Sequence, residues 1–189
     1  MQNRKYLIGI AGGSASGKTT FSEQFKSTLN KYQVKIIHMD DYFKEDNLRP
    51  MVTSFLNNQS YRDDNHPTSF NLTKLYTDLN QFKEESYDII IIEGLFTLWD
   101  ENIYNQLDLK LFIDCPADER IVRRLKRNMQ RGLSFDEISE VYLNLVRFRH
   151  AEYVEPSKWK ADIIVPGMKS FDSIIQIICE NIDNQLEIK

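Results

Sequence analysis

The chain has 189 residues, of which 41% are hydrophobic and 28% charged, and its formal net charge is −4. This length and hydrophobic content suit one compact domain with a substantial core and exclude an intrinsically disordered chain. The slight acidic excess disfavours a nucleic-acid-binding protein, because gripping a phosphate backbone requires clustered Lys and Arg.

Hydrophobic runs and cysteines bear on the cellular compartment. No apolar run approaches the roughly 18 residues that cross a bilayer, and the run at residues 7–11 is too short for a signal peptide. Cys115 and Cys179 are far apart and form no CxxC pair, which predicts neither a disulfide framework nor a thiolate metal site. We therefore expect a cytoplasmic protein without a membrane partner.

Apolar runs alternate with segments of helical period along the whole chain. The runs predict strands at residues 6–11, 34–39, 88–92, 109–113 and 162–165. Helical spacing marks residues 72–82 and 171–178, and a capping-box pair, Ser134 and Glu137, opens another helix. The expected fold is α/β: a doubly wound, mostly parallel five-stranded sheet with helices on both faces and a helical lid, forming one domain over residues 1–189.

The polar segment at residues 44–65 has no clear period and is long for a connection inside a compact domain. Two interpretations stay open for it. It is either a flap that faces the substrate or a segment that contains helical turns.

The first predicted strand runs into a glycine-rich sequence that matches GxxxxGK[ST] between a strand and a helix. Such a loop curls closely around an anion and points backbone N–H groups at phosphates, next to the positive end of a helix. Lys18 would reach the β- and γ-phosphates, and the Thr19 hydroxyl would ligate Mg²⁺. This sequence predicts a P-loop NTPase fold. The loop residues are Gly12, Gly13, Ser14, Ala15, Ser16, Gly17, Lys18 and Thr19.

Acidic residues follow the second and third predicted strands, at the sheet edge where the phosphate loop also lies. Phosphoryl transfer to a hydroxyl requires a carboxylate that takes the proton and oxygen ligands for the metal. Asp40 suits the base and Glu93 the metal, while Asp41 is a less certain neighbour.

A basic segment follows the fourth predicted strand. Arg120, Arg124, Arg127 and Arg131 recur at spacings of four, three and four, which places them on one helix face. They form either a solvated face or, behind a phosphate loop, a lid over residues 120–155 whose guanidinium groups close over the transferring phosphate.

The three histidines have weaker signals. A structural role is expected for His38, near a strand end, and a packed or surface role for His150, beside Arg147 and Arg149. His66 precedes Pro67 in an irregular segment, where it could contact a substrate.

Several ordered motifs together resemble the uridine kinase family of P-loop nucleoside kinases, over roughly residues 6–167. These motifs are GGSASGKTT, Asp40-Asp41-Tyr42-Phe43, Asn65-His66-Pro67, IIIEGLF, FIDCPADERIVRRLKRN and YVEPSKWKADIIVP. The resemblance implies phosphorylation of a nucleoside 5′-hydroxyl, as in uridine or cytidine kinases, with ATP or GTP and Mg²⁺ as cofactors.

The same resemblance implies roles for individual residues. Asp40 would be the catalytic base, assisted by Lys18, Arg124 and Arg127. Mg²⁺ would lie among Thr19, Asp40 and Glu93. Nucleotide contacts would come from loop residues 12–19, Thr20 and Arg131, and substrate contacts from Asp40, Tyr42, Asn65, His66 and Arg124.

Departures from the family pattern concern the acceptor more than the chemistry. The family aspartate before His-Pro, which holds the ribose hydroxyls, is Asn65, and three family lid residues are replaced by Leu133, Val141 and Phe148. The family hairpin that holds the pyrimidine is missing, because a helix of amphipathic period occupies the interval 71–86.

Three functions are therefore weighed. The first is a uridine kinase-like enzyme with a nucleoside-like small-molecule substrate. The second is a kinase for another ribosyl substrate, because the Asp-Asp-Tyr-Phe-Lys stretch also resembles nicotinamide riboside kinases. The third is a non-catalytic nucleotide-binding regulator, although the NKxD and DxxG motifs of signalling GTPases are missing. Whether the chain forms a homo-oligomer is left open.

Overall fold

The protein is described by a computed structural model over residues 4–187. Its strands are β1 (Tyr6–Gly12), β2 (Val34–His38), β3 (Met51–Thr53), β4 (Ser60–Arg62), β5 (Ile89–Glu93), β6 (Leu109–Asp114) and β7 (Ile163–Pro166). The central sheet has the order β2-β5-β1-β6-β7, and all of its pairs are parallel. Each strand predicted from an apolar run is confirmed to within one residue at either end.

Helices connect the strands. They are α1 (Lys18–Thr28), α2 (Leu72–Glu84), α3 (Glu101–Tyr104), α4 (Ala117–Met129), α5 (Phe135–Val141), α6 (Arg147–Arg149) and α7 (Asp172–Glu187). The π-helical turn Tyr142–Val146 joins α5 to α6, and a second π-helical turn, His150–Val154, follows α6 directly. Within residues 4–187 no helix is both long enough and apolar enough to cross a membrane.

Alternate residues of the strands feed two hydrophobic layers, as expected for a sheet covered on both faces. On one face, Ile8 and Ile10 of β1 pack with side chains of α1 and α7. On the other face, Leu7 and Ala11 pack with α2 and with the segment after β5. The prediction of a doubly wound α/β sheet is confirmed, and the main sheet is fully parallel.

The segment at residues 44–65 contains a structure that the sequence did not reveal. A 3₁₀ turn, Asp46–Leu48, precedes an antiparallel hairpin made of β3 and β4. This hairpin packs against the α5–α6 segment: the Tyr61 hydroxyl donates to Glu140 Oε1 at 2.7 Å, and the rings of Phe55 and Phe148 lie 5.0 Å apart. The segment is therefore mainly a hairpin docked on the helices in which the lid was predicted.

The capping box predicted at Ser134 and Glu137 is present. The Ser134 hydroxyl accepts a hydrogen bond from the Glu137 N–H at 3.2 Å, and the Glu137 carboxylate accepts one from the Ser134 N–H at 2.8 Å. This cap starts α5, which packs against α4. We call residues 117–154, from the start of α4 through the second π turn, the lid segment.

Candidate active site

The phosphate loop lies between β1 and α1, at the carboxyl edge of the sheet. Gly12 has a φ of 149° and Gly17 a φ of 103°, values that favour glycine. A Cβ atom at Gly12 would lie 2.6 Å from the Ile113 carbonyl oxygen, so β6 leaves no room for a larger residue. The loop is thus held tightly against the neighbouring strand.

Lys18 is the first residue of α1 and points back over the loop. Its Nζ donates a hydrogen bond to the Gly13 carbonyl oxygen at 3.1 Å. Burial lowers the pKa of Lys18, and the nearby negative charges of Glu93 and Asp40 oppose that shift. The ammonium group therefore lies near the carboxylates of Glu93 and Asp40. A bound phosphate could replace part of the hydration that this group loses on burial.

Glu93 ends β5 and connects three elements. Its Oε1 accepts a hydrogen bond from the Thr19 hydroxyl at 3.1 Å and lies 2.8 Å from His38 Nδ1. His38 and Glu93 are register partners on adjacent strands, which brings their side chains together. Burial raises the pKa of Glu93, but the hydrogen bond from His38 and the charge of Lys18 outweigh it and keep the pKa below its ordinary value. Sequence reasoning missed this contact of His38.

Asp40 lies in a 3₁₀ turn, Met39–Tyr42, directly after β2. Its carboxyl group opens to a cavity but is surrounded closely enough that desolvation raises its pKa, with Lys18 lowering it in part. A raised pKa makes a carboxylate a better proton acceptor. Asp40 thus has the surroundings that a base requires.

The arginines of α4 divide into two groups. Arg124 Nη1 donates to the Ser14 hydroxyl at 3.0 Å, and Arg127 Nη2 lies 3.5 Å from the same oxygen. Desolvation lowers the pKa of both guanidinium groups, and repulsion from Arg127 lowers that of Arg124 further. Arg124 Nε is buried and has no hydrogen-bond partner within residues 4–187.

Arg120 does not join the others. It is 4% exposed, its Nε donates to the Cys115 carbonyl oxygen at 3.0 Å, and its guanidinium group packs against Gly13. The four predicted arginines therefore differ in position. Arg120 packs against the phosphate loop at Gly13, whereas Arg124 and Arg127 line the cavity. Arg131 lies beyond the end of α4 and also lines the cavity.

One cavity of about 950 Å³ brings most of the predicted site residues together. The predicted residues that line it are Ser14, Ala15, Gly17, Lys18, Thr19, Thr20, Asp40, Asn65, Glu93, Arg124, Arg127 and Arg131. Residues without a specific prediction at this site also line it, among them His38, Asp64, Arg123 and Asn128. The phosphate loop, the acids and the basic helix face thus share a common space.

Two predicted substrate residues lie elsewhere. Tyr42 is 7% exposed, packs in the core, and donates to Asp78 at 3.0 Å. His66 bonds to the Thr68 hydroxyl at 2.8 Å and its ring contacts Tyr153, and it is not among the cavity residues. Each is held by a partner outside the cavity.

Oxygen donors for a metal ion lie beside the phosphate loop. Within the described residues no group of three or more His, Cys, Asp or Glu side chains is arranged to hold a metal. The Thr19 hydroxyl beside the Glu93 carboxylate offers oxygen donors, which Mg²⁺ prefers. Mg²⁺ in nucleotide sites takes one or two protein ligands and completes its shell with phosphate oxygens and water, so this donor set fits it.

A parallel sheet with a phosphate loop after β1 and acids after the neighbouring strands defines the P-loop NTPase fold. Among solved structures, a possible uridine kinase from Bacillus stearothermophilus superposes with a TM-score of 0.59 at 21% identity, covering 87% of this chain and 90% of that one. This likeness concerns the fold.

Sequence comparison gives the family. The profile of the phosphoribulokinase/uridine kinase family matches residues 7–86 and 75–173. A uridine kinase of Bacillus cytotoxicus is 33% identical, with 99% of this chain and 97% of that protein aligned. A uridine kinase of Bacillus pumilus is 32% identical over 88% of each chain. The chain belongs to the phosphoribulokinase/uridine kinase family.

Proposed function

We propose that this protein is a kinase that transfers the γ-phosphate of ATP to a hydroxyl group of a nucleoside-like small molecule. One observation carries the proposal: the phosphate loop, Asp40, Glu93 and the guanidinium groups of Arg124 and Arg127 line one cavity. A nucleotide switch needs the loop and a metal ligand but no base beside the γ-phosphate site.

The phosphate end of the cavity would hold the nucleotide. The loop and the start of α1 present backbone N–H groups and a positive helix end to the phosphates. Lys18, Arg124 and Arg127 neutralise the charge that spreads over the transferring group. Arg131 and Thr20 line the same cavity and are further proposed nucleotide contacts.

Mg²⁺ would be held by Thr19 and Glu93, with Asp40 close by. A bound Mg²⁺ would offset the negative charge of the phosphate groups. His38 donates to Glu93 and keeps its carboxylate oriented toward Thr19. GTP would fit the same phosphate contacts, and we propose ATP on the strength of the family.

Asp40 would take the proton of the attacking hydroxyl. Desolvation raises its pKa, and the nearby charge of Lys18 lowers it in part. Asn65 and Asp64 line the acceptor side and can bond to ribose hydroxyls through their amide and carboxylate oxygens. The lid arginines would exclude water, which favours a hydroxyl acceptor over hydrolysis.

A second acceptor class is favoured by one specific feature. Residues 85–88 alone connect α2 to β5, so no base-holding hairpin lies in that interval. We therefore include ribosyl compounds with a base other than a pyrimidine among the candidate substrates.

An ADP-release assay with a panel of nucleosides tests the proposal. ATP, Mg²⁺ and one acceptor at a time are supplied, and the phosphorylated product is identified by mass spectrometry. We expect at least one ribosyl acceptor to raise ADP release well above the rate without acceptor. If nucleotide binds while every acceptor leaves the rate unchanged, the kinase function is wrong and a regulator is favoured.

A further inference from the structure

Asp63 is a buried carboxylate between the β3–β4 hairpin and the acceptor side of the cavity. It is 1% exposed. Its Oδ1 accepts a hydrogen bond from the Asn65 N–H at 3.1 Å, and its own N–H donates to the Pro50 carbonyl oxygen at 2.8 Å. The Ser69 hydroxyl donates to the Asp63 carbonyl oxygen. Asp63 thus fixes the loop at residues 63–69 to the base of the hairpin.

The partner of this carboxylate comes from the lid segment. Arg149 Nε donates to Asp63 Oδ2 at 2.6 Å, and Arg149 also pairs with Glu152. Arg149 ends α6, the short stretch between the two π turns of the lid segment. The ion pair is therefore a direct link from the lid segment to the loop of the acceptor side.

Asp64 and Asn65, which follow Asp63 immediately, are the residues of this loop that line the cavity. Asp64 Oδ1 accepts from Arg49 at 3.1 Å and from Arg62 at 3.0 Å, while Asn65 is held through its backbone by Asp63. At its other end, the lid segment carries Arg124, which also lines the cavity. Movement of the lid segment would thus displace Asp64 and Asn65, because Arg149 of the lid segment is bonded to Asp63.

We propose that Asp63 and Arg149 are positioning residues for the acceptor: their ion pair holds Asp64 and Asn65 in place relative to the lid arginines. The pair touches neither the phosphate loop nor Asp40. It should therefore act on acceptor binding and leave ATP binding alone. This inference rests on the proposed kinase function for its kinetic effect, and on geometry alone for the ordering of the loop.

Amide hydrogen exchange tests the ordering without any turnover. Arg149→Gln leaves the buried Asp63 without its charged partner and could disturb folding, so the double variant Asp63→Asn/Arg149→Gln, which removes both charges, is measured as well. We expect faster exchange in the peptide covering residues 63–69 and unchanged exchange in the phosphate loop. Unaltered exchange at residues 63–69 in the folded double variant would overturn the proposal.

Kinetics test the effect on the acceptor, with Tyr61→Phe as the matched control. Tyr61 also links the hairpin to the lid segment, through Glu140, but its hydroxyl makes no hydrogen bond to the loop at residues 63–69. We expect the double variant to raise the acceptor KM about tenfold with the ATP KM changed less than about twofold, and Arg149→Lys to lie in between. If Tyr61→Phe raised the acceptor KM as much as the double variant does, the ion pair would have a purely structural role. The same conclusion would follow if the double variant changed the acceptor KM and the ATP KM equally.

A double-mutant cycle with Asn65→Ala completes the test. If the ion pair acts by positioning Asn65, the loss caused by Asn65→Ala is smaller in the double variant than in the wild type. Additive losses would contradict the proposal. A wild type that phosphorylates no acceptor would reject the proposed function, and the exchange experiment would still decide the role of the pair.

Discussion

Asp40 and Asp41 are adjacent in sequence, and the structure gives them different surroundings. Asp40 lies near enough to Lys18, Glu93 and Arg127 for their charges to affect its pKa. Asp41 lines the same cavity, and both residues are exposed. The 3₁₀ turn that starts at Met39 separates the two side chains, and sequence spacing alone could not assign their roles.

Replacing Asp40 with Asn should remove the base while preserving the shape of the site. We expect kcat to fall about a hundredfold to ten-thousandfold, because the attacking hydroxyl loses its proton acceptor. The ATP dissociation constant should stay nearly unchanged, since the phosphate loop is untouched. Steady-state kinetics and nucleotide titration measure both quantities.

Asp41→Asn is the matched control for this substitution. It removes the same charge from the neighbouring position and should lower kcat much less. Near-normal turnover of Asp40→Asn, or an equal loss in both variants, would reject Asp40 as the base.

The lowered pKa of His150 should make the stability of the protein depend on pH. Burial lowers its pKa from 6.5 to about 4, with repulsion from Arg120 adding to the shift and Glu155 opposing it. The folded protein thus binds the proton less readily than the unfolded chain, so stability is lost as the pH falls from about 6.5 towards about 4. The His150→Asn variant lacks this titrating group. Its free energy of unfolding, measured with denaturant, should therefore decrease less than that of the wild type as the pH falls from about 6.5 towards about 4. Parallel pH profiles of the wild type and the variant would contradict the assignment.

Individual side chains set the limit of what the sequence could predict about the site. The spacing of Arg120, Arg124 and Arg127 correctly indicates a helix, but spacing does not say how that helix is rotated against the phosphate loop. The rotation buries Arg120 beneath Gly13 and turns Arg123 toward the cavity. Tyr42 enters the core for a similar reason, because its orientation depends on the position of α2.

At the scale of elements, α4 is the helix whose role most needs a test. Arg127→Ala should slow phosphoryl transfer about a hundredfold, since one donor to the developing charge is lost. ATP affinity should change far less. Lys126→Ala, an exposed position on the same helix, is the control and should leave both quantities close to wild type. Single-turnover kinetics separate phosphoryl transfer from nucleotide binding. An unchanged transfer rate would favour the alternative interpretation, in which the arginines form a solvated helix face.

The strands of the central sheet were predictable because each contains an apolar run, and β1 and β5 are buried along their whole length. An uninterrupted apolar run such as residues 89–92 has few other stable environments. The β3–β4 hairpin was not predictable, because its strands have three residues each and are largely exposed. Its stability comes from tertiary contacts with the lid segment, including the Phe55–Phe148 ring pair, which no local pattern encodes.

For the whole molecule, the order β2-β5-β1-β6-β7 explains why distant residues meet. Parallel strands share one carboxyl edge, so the ends of β1, β2 and β5 bring the phosphate loop, Asp40 and Glu93 together. This convergence follows from topology and could be predicted. The acceptor side could not, since it is built from irregular segments outside the sheet.

The acceptor side predicts weak selectivity for the base. The interval between α2 and β5 holds no hairpin, while Asp64 and Asn65 remain available to the sugar. We expect kcat/KM to differ less than about tenfold among uridine, cytidine and a pyridine riboside, a difference of about 1.4 kcal/mol. Removing a ribose hydroxyl should cost more, because it leaves a polar protein group unpaired in the closed site.

Matched deoxyribosyl acceptors provide the comparison that decides where recognition lies. If the sugar is read by Asn65, the Asn65→Ala variant should lose much of its discrimination between ribosyl and deoxyribosyl compounds and keep its indifference to the base. A preference for uridine of a hundredfold or more in the wild type would contradict this prediction. It would mean that the base is contacted directly by other residues that line the cavity.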